Sequence, residues 1–143
     1  MSVVVLDDHL LRDLLADDVG RSLAGLRRRH DLATTNLYFY RLCRSVVAAR
    51  GGALTGGWST ERRRALTSAL LELPNDLPIV PMTAVAHRMA ELASDHRVST
   101  LGAEAVAASE YLGAQLCVWD GDDGPNIRAC AEALNVRYRV VSR

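Results

Sequence analysis

The sequence predicts an α/β protein of three layers, an α/β/α sandwich whose central, mainly parallel sheet is covered by helices on both faces. Short apolar runs alternate with segments of helical periodicity along the chain, the pattern of strands and crossover helices. Acidic residues recur within residues 3–8, 99–105 and 116–123, each read as a point where a buried strand gives way to a helix or turn. In an open α/β sheet the carboxyl ends of parallel strands converge on one edge, so such acids meet in space. Finally, 143 residues with 49% hydrophobic content suffice for one ordinary domain with a sizeable core and not for two comfortable domains, so residues 1–143 are read as a single domain.

The elements follow in order. VVVL at 3–6 is a β-branched strand closed by Asp7 and Asp8, after which Leu10, Leu11, Leu14 and Leu15 share one face of a helix over 9–16. A second helix covers 19–29 and ends on Arg27, Arg28 and Arg29. Residues 31–35 read as a brief strand. The helix after it runs from 36 to about 50, with Phe39, Leu42, Cys43 and Val46 as its buried stripe and Gly51 and Gly52 as its stop. The glycines within 50–59 mark a loop, and Ser59 caps a helix carrying Leu66, Leu70 and Leu73 that Pro74 ends. A short strand over 77–80 lies between prolines. Thr83 caps a helix that turns Val85, Met89 and Leu92 inward, and another helix spans about 103–113. Residues 115–119 form a buried strand, a DGDDGP turn leads into a helix over 126–134, and 136–141 is the last strand.

Composition excludes several classes of function. Seventeen basic and seventeen acidic residues cancel, so there is no fold-wide attraction to nucleic acid or membrane and any such contact is local. Every basic residue is arginine, which suits bidentate phosphate contacts wherever one is exposed. Cys43, Cys117 and Cys130 are odd in number, lack CxxC spacing and sit in apolar contexts, which argues for reduced thiols rather than disulfides or a zinc site. No apolar stretch approaches a membrane span, so a membrane is not an expected partner and the expected location is cytoplasmic. The glycines form no phosphate loop, the histidines have no zinc-site spacing, and no serine occupies a nucleophile elbow.

Asp7 after the first strand, a helix after Thr34 and Thr35, an acid followed by alanines in EAVAASEYLGAQL, and then VWD together resemble the PIN domain, including its VapC-type toxin ribonucleases. The resemblance covers nearly the whole chain and is most specific over 101–140. The family's acids stand after strand one, in the helix after strand two, at the head of a later helix and at the end of the next strand. Asp7 matches the first, Glu104 with Ala105 the third, and Asp120 the last, while Arg41 stands where the second acid is expected.

The resemblance implies a site for Mg²⁺ or Mn²⁺ with Asp7, Glu104 and Asp120 as catalytic ligands, Asp122 and Asp123 in support, and Arg41, Arg44 and His9 toward the substrate. The implied function is a divalent-metal-dependent endoribonuclease acting on single-stranded or structured RNA, impaired to the extent that Arg41 excludes a second ion. The alternative is a catalytically inactive PIN-like domain that binds RNA or protein. An antitoxin partner and a homodimer are further implications. Each acid also has a local use: Asp7 and Asp8 as helix cap and first-turn charge, Glu104 as a helix-dipole partner, Asp122 and Asp123 as turn residues.

Overall fold

The computed structural model describes residues 2–48, 50 and 52–142. Ala49 in the expected third helix, its stop at Gly51 and residues 1 and 143 lie outside the described residues; the helix itself ends at Val47, short of the expected end at about 50. Strands β1 (Val3–Leu6), β2 (Asp31–Ala33), β3 (Gln115–Trp119) and β4 (Tyr138–Val141) form one sheet in the order β2-β1-β3-β4, with every pairing parallel. The register sets Val5 opposite Ala33 on one side and Leu116 on the other.

Successive strand residues enter different cores. Val5, Leu116 and Val118 belong to one apolar cluster, and Val4, Leu6, Leu32, Cys117 and Val141 to a second. A strand buried on both faces has no polar side to alternate with, which is why VVVL and QLCVW read as nearly unbroken apolar runs. The first cluster lies under α6 (Met82–Asp95), α7 (Thr100–Leu112) and α8 (Pro125–Ala133). The second lies under α1 (Asp8–Leu15), α2 (Arg21–Arg29), α4 (Gly52–Thr55) and α5 (Thr60–Leu71). Helix α3 (Asn36–Val47) wraps the edge, giving Tyr38 to the first core and Leu42 to the second. The molecule is thus a three-layer α/β/α sandwich.

Four segments differ from the sequence expectation. Residues 77–80 do not make a strand: Thr34 and Ile79 form an isolated parallel bridge beside β2, because Pro78 has no N–H to extend the ladder and Pro81 ends the segment. Within the expected loop 50–59, Gly52–Thr55 is a short helix, held because the Leu54 carbonyl accepts from Arg12 Nη1 at 2.6 Å and the Thr55 and Ser45 hydroxyls lie 2.6 Å apart. Helix α6 begins at Met82 with Pro81 at its cap position and no side-chain cap, so Thr83 lies inside it. Helix α7 begins at Thr100, where the Ser99 hydroxyl accepts from Gly102 N. Residues 99–105 are therefore the cap and opening turns of a helix that follows another helix, not the end of a strand, and Glu104 reaches the interior from that helix over the sheet.

From β1 the sheet grows outward both ways, to β2 on one side and to β3 and β4 on the other. Connections that leave in opposite directions open a crevice at the carboxyl ends of the two central strands, the usual place for a ligand in such a sheet. Asp7 follows β1 and Asp120 follows β3.

Candidate metal centre

Asp7 closes β1 and caps α1. It is in extended conformation (φ −73°, ψ 179°), and its Oδ1 accepts from Leu10 N at 2.9 Å. Its other oxygen, Oδ2, accepts from Trp119 N at 2.9 Å, and its own N–H donates to the Cys117 carbonyl at 3.1 Å. One buried residue thereby links the end of β1, the start of α1 and the end of β3 across the crevice. Burial pushes its carboxyl up to about 7, overcoming the two backbone N–H bonds that favour the charged form.

Asp8, the first residue of α1, is completely buried. Its Oδ1 accepts from His9 N at 2.9 Å and lies 3.2 Å from His9 Nδ1. Its Oδ2 has no hydrogen-bond partner and faces Arg41 Nη1 at 3.0 Å as an ion pair. His9 Nδ1 also meets Asp122 Oδ2 at 2.9 Å. Burial by itself would push the imidazole down, but the hydrogen bonds and charges of Asp122 and Asp8 outweigh it and raise the ring to about 9. Asp122 is held below the usual carboxylate range by the hydrogen bond from His9, aided by the charges of His9 and Arg41.

The ring of His9 rests on Trp119, with centroids 4.5 Å apart and planes 31° from parallel. That placement depends on Gly121, where a Cβ would stand 2.3 Å from the Trp119 ring. Glycine in the DGDD turn therefore serves close approach as well as turn geometry. Arg41 and Arg44 project from α3 and, with Arg50, line a cavity of about 300 Å³ next to α4.

Among the described residues, one group of acids and histidines has ligand atoms mutually within 4.8 Å: Asp7, Asp8, His9 and Asp122. Of the residues the sequence nominates, Asp7, His9 and Asp122 are brought together, and Arg41 touches them through Asp8. Glu104 lies outside the group. It is fully buried, and its oxygens accept from Leu37 N at 2.7 Å and Asn36 Nδ2 at 2.9 Å, so it caps the start of α3. Asp120 is exposed in the 3₁₀ turn Asp120–Asp122 and is also outside the group. Asp123 accepts from Arg128 Nη2 at 2.8 Å and from the Tyr138 hydroxyl at 2.9 Å, which ties α8 to β4. Arg44 is exposed.

Asp8 is the member that sequence reasoning treats only as first-turn charge. Its signal was the Asp-Asp doublet: an extended cap residue followed by a helical one lets consecutive carboxylates serve one space, whereas neighbours inside a helix diverge.

The donor set suits a divalent cation. It offers three carboxylates and an imidazole, with one buried carboxylate oxygen lacking a hydrogen bond. Buried acids without full hydrogen bonding are costly unless a cation compensates them, a part taken at Asp8 Oδ2 by Arg41.

No family model matches the chain, and no curated protein matches it. Among solved structures, it is similar to a chain described as a toxin-antitoxin complex from Klebsiella pneumoniae, with a TM-score of 0.54 and 15% sequence identity over 84% of this chain and 88% of that one. The likeness extends over most of both chains and concerns the fold.

Proposed function

We propose that this protein is a PIN-like, divalent-metal-dependent endoribonuclease of the toxin type. The observation that carries the proposal is the convergence of Asp7, Asp8, His9 and Asp122 at the carboxyl ends of the two central parallel strands. Asp7, Asp8 and Asp122 are the carboxylates that would hold the ion. When bound, a divalent cation supplies the positive charge that acidifies water and offsets charge building on the phosphate.

The chain's own residues do the rest. Asp7, fixed by backbone donors from α1 and β3, keeps the two central strands and the helix in register around the site. Arg41 is half exposed and paired with Asp8, so it can turn toward a phosphate while remaining beside the acids. Arg44 and Arg50 extend that positive edge along the adjoining cavity. With Arg41 beside Asp8, where another acid would be needed, one ion per chain is the expected loading. Glu104, another acid of the family layout, supports the site indirectly by holding the start of α3 from which Arg41 projects. The fold similarity to a chain of a toxin-antitoxin complex favours an antitoxin as the protein partner.

A second reading has its own observation. His9 and Arg41 place two positive charges against Asp8 and Asp122, so the cluster balances its charge without an ion, as in a catalytically inactive domain that binds RNA or protein.

Cleavage of labelled single-stranded and hairpin RNAs with Mn²⁺ or Mg²⁺, beside chelator and an Asp8→Asn control of equal foldedness, separates the two. Metal-dependent cleavage lost in the control supports the nuclease; RNA retained on a filter without cleavage, by folded protein over several RNAs, supports the binding module.

A further inference from the structure

We propose that His9 is itself a metal ligand through Nδ1, so that the site selects Mn²⁺ and the later first-row ions over Mg²⁺; this rests on the metal-dependent reading above. Nδ1 lies 2.9 Å from Asp122 Oδ2 and 3.2 Å from Asp8 Oδ1. Neighbouring ligands of an octahedral ion with bonds of about 2.1 Å stand roughly 3 Å apart. The imidazole nitrogen and two carboxylate oxygens are thus already spaced as adjacent corners of one coordination shell. The whole set spans up to 4.8 Å, against roughly 4.2 Å between opposite ligands of such an ion, so closure around it needs movements of less than about an ångström.

The ring is also prepared for one orientation. It is 4% exposed and stacked on Trp119 at 4.5 Å, and Gly121 leaves the indole room to lie there. A ligand held by packing loses little freedom on binding, which is how surrounding residues fix a metal-bound histidine. Asp8 Oδ2, buried and without a hydrogen bond, is compensated only by the half-exposed Arg41 guanidinium at 3.0 Å, a positive charge that an ion at the same place would replace.

Donor chemistry then sets the ion. Mg²⁺ takes oxygen ligands and gives up water reluctantly, whereas imidazole suits first-row transition ions, whose affinity rises from Mn²⁺ through Ni²⁺. One nitrogen among three carboxylates keeps Mn²⁺ in range and disfavours Mg²⁺.

The test is pulsed electron paramagnetic resonance on the full chain loaded with Mn²⁺ alone, in natural abundance and with ¹⁵N-labelled histidine. The expected result is ¹⁴N modulation that gives way to the ¹⁵N pattern on labelling and disappears in His9→Gln, together with at least tenfold weaker binding of Mg²⁺ in competition. Labelling uses the unaltered protein, so a poorly folded His9→Gln leaves the result readable. Bound Mn²⁺ without nitrogen coupling, or coupling that persists in a folded His9→Gln, overturns the assignment of His9 while leaving the metal-dependent reading standing. Failure of the folded protein to bind Mn²⁺ overturns both.

Discussion

Glu104 and Asp8 are both completely buried, yet they live on opposite terms. Glu104, reaching down from α7, spends its oxygens on Leu37 N and the Asn36 amide at the start of α3, where the helix presents unpaired N–H groups and the positive end of its dipole. Asp8 keeps one oxygen without a hydrogen bond, and that oxygen's compensation comes from Arg41, a side chain 46% exposed. Burial alone therefore does not distinguish a carboxylate that caps a helix from one in the acidic cluster. The distinction lies in whether neutral donors or the charged groups of other side chains satisfy it.

The largest effect expected from breaking that contrast is at Glu104. Glu104→Ala removes the cap of α3 and leaves Leu37 N and Asn36 Nδ2 without it, at a cost of about 3–4 kcal/mol in denaturant unfolding. Loss of less than about 1 kcal/mol would mean that Glu104 is not the structural acid of the pair.

The titration behaviour of the cluster gives the next largest. Asp7 titrates near 7 when folded and about 4 when unfolded, so the folded state holds its proton more tightly and stability falls as pH rises between those values. His9, raised to about 9, adds stability that is complete below about 6.5 and lost as pH rises through 9. Both slopes have the same sign. Metal-free protein in chelator is expected to lose on the order of 2–4 kcal/mol between pH 5 and 9 in urea unfolding. His9→Gln should flatten the upper limb, and Mn²⁺ should stabilise most at the alkaline end, where Asp7 is ionised. A flat profile would place these groups in an ordinary solvated environment.

Arg41→Gln sharpens the comparison from the other side. Losing the guanidinium leaves Asp8 Oδ2 without its ion pair while His9 still faces Oδ1, costing about 1–2 kcal/mol, less than for a fully buried pair because Arg41 is half exposed. Mn²⁺ affinity measured by calorimetry should rise, since the ion no longer competes with an attached cation. Unchanged affinity would mean that Arg41 and the ion do not share Asp8.

The smallest expected effect is at Gly121. A methyl group there collides with Trp119, so Gly121→Ala should shift tryptophan emission and weaken Mn²⁺ binding several-fold while lowering stability by about 1 kcal/mol. Unchanged metal binding with a displaced indole would show that stacking on Trp119 does not hold His9 in place.

Much of the fold is legible because its signals are local. Val3–Leu6 and Gln115–Trp119 are apolar on both faces, as central parallel strands must be. Asp7, Thr35 and Ser59 sit before their helices and cap them. Where neighbours at a distance decide, local reading fails. Gly52–Thr55 is helical because Arg12 and Ser45 hold it, and residues 77–80 fall short of a strand for want of donors beside β2.

The site divides along the same line. The sequence by itself determined that acids follow β1 and β3, because the end of a strand and the cap of a helix are written in consecutive residues. It also placed Arg41 in the helix that follows the second strand. Only the tertiary structure decided which carboxylates share a space. Asp7 and Asp122, though 115 positions apart, meet because β1 and β3 are neighbours in the sheet. Glu104 goes to the start of α3 because α7 follows α6 and lies across the sheet. A carboxylate's fate depends on which donors and charges the fold brings within about 3 Å of it, and that distance is a property of packing, not of spacing along the chain.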